Sequence, residues 1–336
     1  MKKFMTDKKM FTPCAPVLLI GFNRPDFMAE QISALRSGRP ENIYIAVDGP
    51  RHGNQNDIDQ CKKVKQCIEL IDWPCKINTL FHDTNLGCKN APISAINWLF
   101  ANEEFGIILE DDCRPRAEFF RFATDMLRKY KDDNRIGNIC GMNYFNLQTN
   151  QCDSYHFSAH MDTWGWASWR RVWQRADLSL RKFNHEDVDK IIYQSGLHRY
   201  TKKILANVIH KTIDCNGMCS WWDYQLFFNF IANNWLCIVP RNSIVANVGF
   251  SDTQATHTGY ACYQDLWSRT TPLEFPLKHP ELVTIDTQAD QTRERMEAGL
   301  YPRTLTWVGS KARALRKYTT LMCNLTMSTC PSLLKY

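Results

Sequence analysis

No apolar stretch in these 336 residues approaches the roughly 18 needed to cross a bilayer. Glycine and proline number 15 and 14, together about 9% of the chain and without a period, which excludes collagen-like and low-complexity architectures. No G-x-S-x-G elbow and no Walker A loop occur, and no G-x-G-x-x-G follows the first apolar run, where a dinucleotide enzyme carries one. The 14 cysteines, about 4% of the chain, fall short of the roughly 8–10% of small disulfide scaffolds. No C-x-x-C pair is present; Cys215 and Cys219 come nearest, without a second pair at zinc-finger spacing. The thiols read as reduced and structural, in a cytosolic protein. The apolar residues 17–20, behind Lys2, Lys3, Lys8 and Lys9, are too few for a secretory h-region and no small-residue cleavage site follows. In that setting the sequon at Asn324 has no consequence.

What is present is ordinary globular composition, 44% hydrophobic and 23% charged, with a net charge of +6. Residues 301–336 hold Arg303, Lys311, Arg313, Arg316, Lys317 and Lys335 and no acid, so the tail carries the whole excess. A nucleic-acid-binding domain shows its basic face in the folded body. A terminal polycation, with a basic helix expected over 308–318, points instead to peripheral contact with an anionic membrane or to simple solubility, and to no nucleic acid partner.

Residues 16–112 alternate in type. Apolar, β-branched runs at 17–22, 43–47, 77–81 and 106–109 read as buried strands, and residues 26–35, 58–71 and 91–100 have helical spacing between them. Strands separated by helices of this length predict a mainly parallel α/β sheet covered on both faces, whose ligands bind beyond the carboxyl ends of the strands. That topology gathers Asn23-Arg24, Asp48-Gly49, Asn85-Leu86-Gly87 and Glu110-Asp111-Asp112 on one rim. Helices are expected at 117–130 and 223–233 and strands at 136–140 and 236–239, in a less regular, aromatic-rich second half. The expected organisation is an extension at 1–13, two halves at 14–112 and 113–260, and a C-terminal extension at 261–336.

Three acids closing a buried strand repel one another unless a cation or hydrogen-bond donors neutralise them, and carboxylates suit Mn²⁺ or Mg²⁺. Along an extended chain Glu110 and Asp112 share a face and Asp111 points away. Metal ligand or simple helix cap are both open for Asp112. Arg24 suits phosphate oxygens and Asp48 a base or sugar, while Gly49 and Gly87 permit close backbone approach; each is also an ordinary turn former. Asp223 stands where a helix begins, as an N-cap or as a general base. His257, in Thr256-His257-Thr258, suits a metal or phosphate, or is a solvated loop residue. Trp166, Trp169 and Trp173 have the spacing of a helical core stripe, which leaves Trp164 and Trp222 freer to stack on a ligand.

In this order Asn23-Arg24, Asp48-Gly49, Asn85-x-Gly87, Glu110-Asp111-Asp112 and Trp222-Asp223 resemble the N-acetylglucosaminyltransferase I type of nucleotide-diphospho-sugar transferase. Phe22-Asn23-Arg24-Pro25, Asn85-Leu86-Gly87-Cys88, Glu110-Asp111-Asp112-Cys113, Trp164-Gly165-Trp166-Ala167 and Ala255-Thr256-His257-Thr258 are similar to the bacterial hemolytic-protein-like glycosyltransferases, over roughly residues 14–260. The resemblance implies a GT-A fold and a divalent metal, usually Mn²⁺, bound by Asp112, with His257 in the loop that closes over the donor. It implies Asp111 on the ribose, Glu110 on the donor sugar, Arg24 on the diphosphate, Asp48 on the uracil and Asp223 as the base of an inverting enzyme. Trp222-Asp223-Tyr224 departs from the Trp-Asp-Asp-Trp of the eukaryotic enzyme. The implied reaction moves a sugar from a nucleotide-diphospho-sugar, UDP-linked by preference, to a glycan or lipid-linked acceptor. A non-catalytic nucleotide-sugar- or glycan-binding relative is the alternative. A nucleotidyltransferase ranks last, because 21–25 lacks a glycine-rich loop.

Overall fold

The computed structural model describes residues 13–145, 153–249 and 264–300. The chain divides into two compact units, residues 1–295 and 296–336, and the first holds every element discussed below apart from the last residues of the final helix.

The first four βα units form as their apolar spacing predicts. They are β1 (Val17–Gly21), α1 (Pro25–Leu35), β2 (Asn42–Val47), α2 (Gln55–Gln66), β3 (Lys76–Phe81), α3 (Gly87–Asn102) and β4 (Phe105–Glu110). β5 (Cys113–Pro115), α4 (Ala117–Lys129) and β6 (Ile136–Cys140) follow. The aromatic-rich half supplies β7 (Tyr155–Ser158), β8 (Trp166–Trp169), α5 (Arg170–Arg175), α6 (His185–Gln194), α7 (Arg199–Asp214), α8 (Asp223–Ala232), β9 (Leu236–Pro240) and β10 (Val245–Asn247). α9 (Gln264–Trp267) and α10 (Thr287–Leu300) complete the described elements.

Eight strands make one sheet in the order β3-β2-β1-β4-β8-β6-β9-β7, and β5 pairs with β10 in a small antiparallel ribbon. β1 to β4 are mutually parallel, and β6 and β9 share their direction; β8 and β7 run against them. This is the mainly parallel α/β architecture expected from the sequence, and it is consistent with a GT-A, Rossmann-like fold. α1 packs against α2 and α4, and α3 against α5; the right-handed rule for parallel crossovers puts α1 and α3, whose connections run in opposite directions along the sheet, on opposite faces. The central strands are buried because both faces are covered, as Val17, Leu18, Leu19 and Ile107 to Leu109 illustrate; β3, expected to be buried, lies at the sheet edge and leaves Ile77 and Phe81 exposed. A second cluster, of Val188, Ile192, Leu205 and Ile209 with Phe228, joins the α6–α7 hairpin to α8. The extension expected from residue 261 begins inside the first unit, where Trp267 and Leu273 are buried.

Candidate active site

From β1 the chain steps outward to β2 and β3, then returns to β4 on the other side of β1. The loops leaving β1 and β4 therefore diverge, and a crevice opens at the carboxyl ends of these two strands. Arg24 and Asp111 face each other across it, with Arg24 Nη1 3.1 Å from Asp111 Oδ1. The guanidinium also lies over Phe27, 5.6 Å from the ring centroid.

Glu110 ends β4, and residues 111–112 form a turn into β5 rather than continuing extended. The alternation expected for an extended chain is thus replaced by the geometry of the turn. Asp111 meets Arg24, while Asp112 lies against Gly249, two residues past the end of β10, the strand paired with β5. A Cβ on Gly249 would lie 2.5 Å from Asp112 Oδ2, so only glycine fits beside that carboxylate. The Cys113 thiol donates to Asp112 Oδ1 at 3.5 Å. Burial, then the negative charges of Asp112, Asp111 and Asp223, push the Glu110 carboxyl well above the usual carboxylate range. Burial likewise raises Asp112, and the charge of Arg24 with the hydrogen bond from Cys113 draws it partly back. Asp223, 113 positions from Glu110 in sequence, belongs to the same field.

Gln31, a buried polar residue of α1 that sequence reasoning passed over, braces this turn. Its Nε2 donates to the Glu110 carbonyl at 2.5 Å and to the Cys113 carbonyl at 2.9 Å. The one sequence signal is a polar side chain on a helix face otherwise formed by Met28, Ile32 and Leu35.

Three rim residues lie where expected but face inward. Asp48 accepts four hydrogen bonds: Oδ1 from the amides of Gly49 (2.8 Å) and Leu86 (2.9 Å), and Oδ2 from Asn85 Nδ2 (2.9 Å) and the Gly87 amide (3.1 Å). A carboxylate has about four acceptor positions. The expected contact of Asp48 with a base therefore gives way to a structural role, holding the first turn of α3 by amides that a helix leaves unpaired. Asn85 also donates to the Gly49 carbonyl at 3.0 Å, so its amide is likewise engaged within the chain. Gly49 is required by the chain itself, since a Cβ there would sit 2.4 Å from the backbone of Thr84. Gly87, with φ +82°, borders open space.

Asn23 is the third. Its Nδ2 donates to Asp57 Oδ1 at 2.9 Å, and the Arg51 guanidinium grips both oxygens of Asp57 at 2.5 and 2.8 Å. Arg51 and Asn23 hold the Asp57 carboxyl down at about 2. A carboxyl depressed by folding adds stability above its ordinary range and loses it as pH falls toward its folded value. Arg51 is 58% exposed, so solvent screens the pair and a contribution on the order of 1 kcal/mol is expected. Asp57→Asn should flatten the rise in unfolding free energy between about pH 2 and 4, measured by denaturant titration across that range.

Trp222 is corrected more sharply. It is 5% exposed and packs against Trp166 and Trp173, with centroids 6.4 and 6.2 Å away, as part of the core rather than as a stacking platform. Trp164 stacks on Tyr144 at 5.1 Å and meets Trp267 edge-on at 5.2 Å. Trp222 is also the N-cap residue of α8, and makes no capping hydrogen bond with its side chain. Asp223 is therefore the first helical residue, not the N-cap that one sequence reading offered. The loop before it is tied to α3, where Lys89 Nζ donates to the Gly217 carbonyl at 2.5 Å and the Cys88 thiol to the Ser220 carbonyl at 3.3 Å. This tie links Asp223 to the helix that Asp48 anchors.

Among the described residues no three His, Cys, Asp or Glu side chains converge as a protein-only metal cage. A cation shared with a diphosphate needs only one or two carboxylates, and the crowding of negative charge around Glu110 fits such an ion. His257 and the basic residues of 301–336 lie outside the described residues. None of the described helices is long and apolar enough to cross a membrane.

No protein-family model matches the chain, and no curated protein matches it. Solved structures with some likeness include S. aureus TarS 1–349, at 10% identity, covering 86% of this chain and 93% of that one with a TM-score of 0.37. The 4-diphosphocytidyl-2C-methyl-D-erythritol synthase of Anaerococcus prevotii has 9% identity, coverage of 65% and 98%, and a TM-score of 0.31. The inositol-1-phosphate CTP transferase of T. maritima has 10% identity, coverage of 61% and 83%, and a TM-score of 0.30. Likeness this distant leaves activity to be argued from the site itself.

Proposed function

We propose that the protein is a metal-dependent, inverting glycosyltransferase that moves a sugar from a nucleotide-diphospho-sugar, UDP-linked by preference, to a hydroxyl of a glycan or lipid-linked acceptor. The observation that supports it most is the electrostatic meeting of Glu110, Asp111, Asp112 and Asp223 beside Arg24, at the crevice where a doubly wound sheet takes its ligands. A Mn²⁺ or Mg²⁺ held by Asp112 with phosphate oxygens and water would neutralise charge on the leaving diphosphate.

The remaining work falls to the chain. Arg24 leaves Asp111 and takes phosphate oxygens, and Asp111 turns to the ribose. Glu110 receives a hydroxyl of the donor sugar. Asp223 takes the proton of the acceptor hydroxyl as that oxygen attacks the anomeric carbon and the bond to the diphosphate breaks. Asp48, Asn85 and Asn23 keep the first turns of α3 and α2 in place.

The test is a thermal-shift panel of nucleoside diphosphates with and without Mn²⁺. UDP and Mn²⁺ together should raise Tm by more than the two separately, since ligands that bind only the native state stabilise it by mass action. If no nucleoside diphosphate moves Tm, with or without the metal, the proposal fails.

A further inference from the structure

α1 meets the acid turn through a row of side chains. Arg24 is its N-cap residue, and Gln31 stands two helical turns on, about 10 Å along the axis and on the same face. Arg24 Nη1 reaches the Asp111 carboxylate at 3.1 Å. Between them Phe27 lies under the Arg114 guanidinium, 4.7 Å from the ring centroid, and Glu30 pairs with the same arginine. Gln31 takes both ends of the turn. Its Nε2 donates to the Glu110 carbonyl at 2.5 Å and to the Cys113 carbonyl at 2.9 Å, so the bonded residues bracket Asp111 and Asp112. The side chain is 1% exposed, and its Oε1 is buried without a hydrogen-bond partner among the described residues. The chain thus keeps an unmatched acceptor in an apolar helix face for the sake of two donors, and such an atom in a native protein has a cause.

The grips of Arg24 and Gln31 differ in kind. In the proposed reaction Arg24 exchanges Asp111 for phosphate oxygens, so its hold on the turn is given up when donor binds. Gln31 holds backbone carbonyls, for which the donor does not compete. We infer that Gln31 is a positioning residue of the metal site: it fixes the backbone on either side of Asp112, so that this carboxylate keeps its place while Arg24 changes partner. The inference rests on the proposed function and deepens it. The Glu30–Arg114 pair cannot take over this task. Its side chains are 52% and 37% exposed, solvent screens them, and they hold a side chain beyond the turn rather than the turn's backbone.

The experiment is a Mn²⁺ titration of the full chain at saturating UDP, well below the melting transition, followed by loss of the sharp electron paramagnetic resonance signal of free Mn²⁺. The parent should bind saturably. Gln31→Met keeps the length and bulk of the side chain without its donors, and Mn²⁺ affinity should fall by about 10–100-fold, the usual effect of losing an outer contact that orients a ligand. Arg114→Gln removes the exposed tie from the same helix and should stay within about threefold of the parent. Should Gln31→Met fail to fold, Gln31→Asn replaces it with the same expectation, since an amide one methylene shorter cannot span both carbonyls. A merely structural glutamine would lower Tm and leave Mn²⁺ affinity in the folded chain unchanged, and that result overturns the inference. So does a loss in Arg114→Gln as large as that in the Gln31 variant. A parent that binds no Mn²⁺ with UDP removes the proposed function and this inference with it, whereas a parent that binds beside a Gln31 variant that binds equally removes this inference alone.

Discussion

Asp112→Asn is expected to lower sugar transfer by on the order of 10²–10³, the scale of losing one preorganised contact to charge developing in a transition state. It should also remove the cooperation between UDP and Mn²⁺ in raising Tm. The side chain sits in a confined place, against Gly249 and under the Cys113 thiol, so an isosteric amide keeps the packing. It also withdraws one of the charges crowded around Glu110, and relief of like-charge repulsion should leave the free variant at least as stable as the parent. Loss of function with stability retained is the pattern of a ligand site. Asp112 caps no helix, since β5 follows it and α4 starts from Arg116; a purely structural role for it expects the reverse, a fall in Tm with little change in transfer. Both are read from one protein preparation, by thermal melts with and without UDP and Mn²⁺ and by release of UDP from a UDP-sugar.

The sheet from β1 to β4 was legible because each strand is a short apolar run ended by turn residues and each helix repeats its apolar face. The position of the rim was legible for the same reason. Which way the rim side chains turn was not. Asp48, Asn85 and Asn23 stand at strand ends, yet Asp48 accepts three of its four hydrogen bonds, and Asn85 and Asn23 donate, across 34–39 residues, and only three-dimensional closure decides that. The tryptophans misled by spacing. Trp166 and Trp169 belong to strand β8 and only Trp173 to a helix, although all three are buried. β8 is inserted antiparallel between β4 and β6, a pairing made across 26 or more residues and invisible to local periodicity. β5 and β10, with three residues each, are too short to show a period at all. Gln31 was the available clue to how the acid turn is held, a lone polar interruption in an apolar face.

The sharpest separation between an enzyme and a binding relative comes from Asp223→Asn. Asp223 is the first residue of α8, its charge bears on Glu110, and the preceding loop is pinned to α3 through Lys89 and Cys88. Its backbone position is therefore set by contacts that the substitution leaves untouched, and asparagine is tolerated at a helix start. If Asp223 takes the acceptor proton, the amide cannot, and kcat should fall by about 10²–10⁴, the usual contribution of a positioned general base. Donor affinity should stay within about twofold, since a loss confined to the transition state lowers kcat and kcat/KM together. A variant that binds UDP and turns over as the parent does would remove Asp223 from the mechanism. A parent that binds UDP with Mn²⁺ but transfers no sugar to any glycan or lipid-linked acceptor offered would favour the non-catalytic relative instead. A general base also predicts a pH profile: the acid limb of kcat in the parent should reflect one ionisation and be absent from the residual activity of the variant. A purely structural aspartate would leave that limb in place.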